Sequence, residues 1–194
     1  PTLWADAEPE QKTYWGDIHT MTVRSAGLGT PDEAYEYGRR YSHLDFCAVT
    51  DGDHADSYLT DEDWEDLKNV VRKHHKAGSF VTFVAYECHE RRFAGDKNVY
   101  YPDDDAPLIR WSDLPDPGEP PQLWEALKGR RALTIPHSTI FSSPARKTWD
   151  YYNTEFQRLV EIHSVWGCSE MADSRKTPFW KPCPQNSVQS GLNK

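Results

Sequence analysis

The strongest constraint on how this chain folds is an alternation: short apolar runs take turns with segments that carry explicit helix-start signals. Tyr14–His19 reads as a first strand. Thr30-Pro31-Asp32-Glu33 then joins a capping Thr, a Pro at the first helical position and a Glu three residues after the cap, which predicts a helix to about Arg40. Leu44–Thr50 is a second strand, apolar without alternation, as expected when both faces of a sheet are covered. Thr60-x-x-Asp63 caps a second helix, with Trp64, Leu67, Val70 and Val71 on one face and Gly78 as its stop. Phe80–Tyr86, Asn98–Tyr101, Ala132–Pro136 and Leu159–Ile162 read as four further strands, and Gln122–Lys128 as a short helix. Pro102–Pro121, rich in Pro and Asp, reads as a long loop. Strands alternating with helices predict an α/β fold with a mainly parallel sheet. A complete (β/α) barrel takes about 250 residues. With 194 residues and five or six strands, the expectation is an incomplete (β/α) barrel over residues 1–170, followed by an irregular tail over 171–194.

Composition narrows the function classes. With 22 Lys+Arg against 31 Asp+Glu the net charge is −9, and no basic run supplies the counterion-release term of nucleic-acid binding. No apolar run reaches the ~18 residues of a membrane span. The aromatic content of 13% argues for a folded core and against low-complexity disorder. Cys47, Cys88, Cys168 and Cys183 form no C-x-x-C pair; Cys47 reads as a buried thiol, and whether Cys168 and Cys183 pair stays open. The chain starts at Pro1 without Met, which reads as a processed or trimmed end, so the compartment is left open.

The chemistry lies in position. Ligands of barrels and open α/β sheets bind at the carboxyl ends of the strands, and here those ends are loaded with metal-type side chains. His19 closes the first strand, and Asp51, Asp53 and His54 follow the second. Glu87 and His89 follow the third, Asp96 precedes the fourth, His137 ends the fifth, and Glu161 and His163 end the sixth. Imidazole mixed with carboxylate suits Zn, Mn or Fe. A lone His at a strand end is an ordinary structural feature; several converging on one rim point to a shared pocket. His43, His74 and His75 read as packing or surface residues, and Asp61–Asp66 as a solvated, dipole-favouring helix start.

Gly16-Asp17-Ile18-His19-Thr20, followed by Leu44-Asp45-Phe46-x-Ala48-Val49-Thr50-Asp51, resembles the PHP (polymerase and histidinol phosphatase) superfamily. Tyr86-Glu87, Asn98-Val99-Tyr100-Tyr101, Leu133-Thr134-Ile135-Pro136-His137 and the segment from Glu161 to Glu170 resemble its DUF3604 branch. The resemblance implies a distorted barrel of seven β/α units, here about five or six, that binds divalent Zn, Mn or Fe and hydrolyses phosphoesters with a metal-activated water. It implies His19, Glu87, Asp96 and His137 as metal ligands, with one or two ions bound. Met21 and Gly52 stand where the family carries a second and a third His, and the family's late Asp-x-His motif has no counterpart before Lys194. Glu87, Asp96 and His137 would make one site with an open position for water.

The expected function is thus a metal-dependent hydrolase of a small anionic substrate such as a phosphoester. His19 would act as ligand or proton-transfer group, Asp51 would orient a His ligand, and Arg91, with Arg92, would grip the anion. The alternatives are a degenerate, non-catalytic PHP domain serving as a binding or structural module, and a fragment completed by another subunit. An open barrel exposes an edge that the tail from Met171 or a second copy would cover, making a homo-oligomer one expectation.

Overall fold

The computed structural model describes residues 11–52, 59–89, 95–115, 119–141, 148–171 and 183–194. The chain begins with β1 (Gly16–Thr20), α1 (Pro31–Arg40), β2 (Phe46–Val49) and α2 (Asp61–His74). Both long helices start as the sequence predicts. Thr30 accepts the Glu33 N–H while the Glu33 carboxylate accepts the Thr30 N–H, and Thr60 and Asp63 do the same for α2. The buried face of α2 is Trp64, Leu67, Val71 and His74, a helical stripe. Of the two readings for His74, packing holds: it is buried, with its Nε2 2.8 Å from Asp32 Oδ1 on α1.

The strands β3 (Val81–Thr82) and β4 (Val84–Cys88) are one extended stretch broken at Phe83. They run parallel to β2, with the Phe83 N–H on Cys47 O and the Glu87 N–H on Asp51 O. Then the direction changes. β5 (Lys97–Tyr101) pairs antiparallel with β4, and β6 (Leu133–Pro136) antiparallel with β5. Residues 89–96 are too few for a crossover, which needs a dozen or more, so the chain turns back on itself. α3 (Pro120–Ala126) precedes β6, and a two-stranded ribbon of β7 (His163–Ser164) and β8 (Gly167–Cys168) follows it. The chain closes with α4 (Val188–Leu192), where the sequence predicts only an irregular tail.

This corrects the barrel expectation. The described residues form three small sheets, β1-β2-β3, β4-β5-β6 and β7-β8, and no closed barrel. The architecture is mixed α/β, parallel in its first half and antiparallel in its second. Leu159–Ile162 is not a strand; it lies beside β6 through the Glu161 N–H on Pro136 O.

The two faces of this curved wall differ. Towards the helices, Val49, Val84, Tyr86, Val99 and Tyr101 pack with Tyr35, Trp64, Leu67, Leu123 and Trp124. Tyr35 ties α1 to two strands at once: its hydroxyl accepts the Val49 N–H and donates to Phe83 O. The segment over 102–115 is pinned over this core by Trp64 Nε1–H on Ala106 O and the Tyr86 hydroxyl on Ile109 O. The opposite, concave face carries a small cluster of Ala48, Ala85, Tyr100 and Ile135, with Ile18, Phe83 and Leu133 packed against it.

Candidate metal centre

The register of the antiparallel strands builds the site. Residues directly opposite each other share a face, so the concave face is ruled in rows. Leu133, Tyr100 and Ala85 form an apolar row, and Ile135, Asn98 and Glu87 the next. One step further the register brings His89 opposite Asp96, and the His137 N–H reaches Asp96 O. Polarity rises row by row towards one end of the wall. Glu87 is 2% exposed, His137 5%, and Asn98 wholly buried.

His19 arrives from β1 by a different device. Between Asp17 and Thr20 the chain takes three steps while β2 takes two, from Cys47 to Val49, so β1 holds a bulge. Successive strand residues normally face opposite sides. The bulge instead lets Ile18 pack on the concave cluster and His19 face the acids beside it. The Asp17 carboxylate accepts the His19 N–H at 3.1 Å within the bulge.

The polar groups then converge. His137 Nε2 lies 3.2 Å from Glu87 Oε1, and His89 Nδ1 3.0 Å from Asp96 Oδ1. His19 Nδ1 is 2.6 Å from Glu161 Oε2, leaving Nε2 3.9 Å from Glu87 Oε2. Two overlapping ligand groups result, His19/His137/Glu161 and Glu87/Asp96/His137, each with its donor atoms within 4.8 Å of one another. Burial pushes the His19 imidazole down, but bonds to and charges on Glu161 and Glu87 outweigh it and hold the group at about 9. His89 behaves alike, burial opposed by Asp96 and Glu87, and is also raised to about 9.

These residues fit a divalent cation. The donor set is the imidazole–carboxylate mixture such ions take. Two buried atoms, His137 Nε2 and Glu161 Oε1, make no well-formed hydrogen bond among the described residues, although His137 Nε2 lies against the Glu87 carboxylate; a coordinated ion would remove that cost.

Of the sequence-predicted site residues, the fold brings His19, Glu87, Asp96 and His137 together. Asp51 sits elsewhere: its fully buried carboxylate accepts the Thr22 N–H at 2.7 Å and the Thr22 hydroxyl at 2.6 Å. Burial pushes its pKa up against those two bonds. It meets the centre only through its carbonyl, which accepts the Glu87 N–H at 3.2 Å. Arg91, with Arg92, Asp53 and His54, lies outside the described residues. His163 is exposed on β7. Glu161 and His89 belong to the cluster although the ligand set implied by the resemblance omits them; their only sequence signal is a place at a strand's carboxyl end.

No family model matches the chain. It is 23% identical over 182 residues to an uncharacterized protein of Chlamydia trachomatis, covering 89% of this chain and 28% of that one. It is 25% identical over 179 residues to an uncharacterized protein of Chlamydia muridarum, covering 89% and 27%. The chain therefore spans less than a third of the length of these relatives. Among solved structures, it is similar to a two-domain protein of Bacteroides vulgatus containing a predicted PHP-like metal-dependent phosphoesterase. That match has a TM-score of 0.42 and 16% identity, over 65% of this chain and 35% of the other.

Proposed function

We propose that the chain carries a metal-dependent hydrolase centre of PHP type, acting on a small anionic substrate such as a phosphoester. The observation that carries the reading is the pair of ligand groups sharing His137. Glu87, Asp96 and His137 would hold one divalent ion, with His19 and Glu161 offering a second position beside it. When bound, such an ion supplies Lewis acidity and lowers the pKa of a water towards neutrality.

The chain's own residues do the rest. Glu161 fixes the tautomer and ring orientation of His19 by holding Nδ1, so that Nε2 faces Glu87 and the reaction space. His19 can then bind the ion or pass a proton at Nε2. His89 holds Asp96 in the same manner. Asp51 acts as a positioning residue, fixing the Glu87 backbone through its carbonyl and the loop after β1 through Thr22. Arg91 is proposed to grip the substrate anion.

A second reading, a non-catalytic binding module, is favoured by Met21 and Gly52 at positions where the resembling family carries His. The test is elemental analysis of purified protein, followed by hydrolysis of p-nitrophenyl phosphate with added Mn or Zn. Bound metal with turnover that His137→Ala abolishes supports the hydrolase. Metal without turnover on a panel of phosphoesters supports the module, and no metal after reconstitution overturns the hydrolase and leaves the non-catalytic module.

A further inference from the structure

The concave face has a second end. Away from the polar rows it opens into a cavity of about 630 Å³ with an apolar floor that includes Ile18, Phe46, Phe83, Leu133 and Phe156. Tyr100 lines it too, and with Ala48, Ala85 and Ile135 it forms the small cluster against which Ile18, Phe83 and Leu133 pack. Arg130, Arg131 and Arg158 line the same cavity, against one acid, Glu155. Such a local excess of cations runs against the chain's net charge of −9. Gly129, with φ at +76°, turns the chain out of α3 and delivers Arg130 and Arg131 just ahead of β6.

The three guanidiniums are lightly engaged. Arg130 donates one N–H to Asp105 O, Arg131 one to the Asp103 carboxylate, and Arg158 its Nε–H to Thr154 O. A guanidinium has five donors, so among the described residues most of each fork is not taken by a protein acceptor. The volume falls within the ~300–1,000 Å³ typical of small-molecule sites.

We propose that this cavity binds a small amphipathic anion: an aryl or short acyl body on the apolar floor, with a carboxylate or phosphate-type head on the arginines. Charge complementarity selects this occupant over a neutral apolar one. The site is distinct from the metal centre: none of its lining residues belongs to either ligand group.

Calorimetric titration of the whole chain with 2-naphthoate, 2-naphthylphosphonate and 2-naphthamide tests it. The anions should bind at least about tenfold tighter than the amide, the worth of one charge-assisted bidentate contact. The ratio of carboxylate to phosphonate affinity identifies the preferred head. Arg130→Ala with Arg158→Ala should erase the preference for the anion, and Leu133→Trp, filling the floor, should remove binding of all three while circular dichroism stays unchanged. Binding should be the same with and without EDTA, which separates the cavity from the metal centre. Equal affinity for naphthoate and naphthamide overturns the proposal, as does failure of every probe to bind the folded chain. So does a dimer in sedimentation that Arg158→Glu dissociates, since a second copy would then be the occupant.

Discussion

The imidazoles of His19 and His137 meet edge to face with ring centroids 4.5 Å apart. His19 lies in β1 and His137 directly follows β6, the two edge strands of the wall, so its two margins approach each other at the end where the acids lie. His137 belongs to both ligand groups, which makes it the residue whose loss should matter most.

His137→Ala is therefore expected to remove tight metal binding altogether, with affinity falling more than about a hundredfold, beyond what loss of an orienting partner costs. Glu161→Gln should spare the Glu87/Asp96/His137 group and retain at least one equivalent. Inductively coupled plasma mass spectrometry after dialysis against Zn or Mn distinguishes the two variants, and equal metal content in both would contradict the shared-ligand geometry.

Without a bound cation, His19 and His89 are raised to about 9 from the ordinary 6.5. A raised imidazole stabilises the fold fully below its unfolded pKa and loses that stabilisation as pH climbs through its folded value. The urea midpoint of EDTA-treated protein should thus fall between about pH 6.5 and 9, and His19→Gln should flatten the slope. Metal affinity should move the opposite way, strengthening over the same range, because coordination must displace those protons. A midpoint that rises with pH across this window would show that the pairs do not form.

Thr22→Val is expected to leave the buried Asp51 carboxylate with its backbone bond alone. One bond to a buried charged group is lost, worth about 1.5–3 kcal/mol. The denaturation free energy should fall by that amount. Because Asp51 meets the centre only through its carbonyl, metal content should be kept in whatever protein remains folded. Loss of metal at full stability would instead put Asp51 in direct contact with the ion.

Tyr35→Phe removes the hydroxyl between α1 and the two strands, leaving the buried Val49 N–H without its acceptor. The cost should be about 1–3 kcal/mol, read as a lower urea midpoint with unchanged metal stoichiometry.

The parts of this molecule that sequence reveals are those decided locally. The Thr30–Glu33 and Thr60–Asp63 caps announce α1 and α2 because a capping box needs only four residues. The run around β2 announces a strand covered on both sides. A mainly parallel sheet is the expectation from sequence, and it fails where a short connection between Cys88 and Lys97 forces the chain back; the lengths of connections decide strand direction, and strand composition does not. The same is true of the site. Placing His, Asp and Glu at strand ends collects His19, Glu87, Asp96 and His137 without knowledge of direction. The same placement marks Glu161, which reaches His19 from a segment bonded through the Glu161 N–H to Pro136 O and through Ile162 O to the Ser169 N–H; what has no local signature is that the two side chains meet. Asp51 reads as part of the chemistry because it follows a strand, yet Thr22, far earlier in the chain, takes its carboxylate.

The extra residue in β1 has a consequence for how such a centre can be lost. Most inactivating changes swap one side chain for another. Here a deletion of Ile18 would restore the strict pleat and leave His19 alone opposite Ala48, drawn into the place that Ile18 now takes against the apolar cluster, with every ligand still encoded. The centre is thus more exposed to a shift in spacing than its ligand list suggests, and two chains with identical ligands but β1 segments differing by one residue would be expected to differ in whether they hold the second ion.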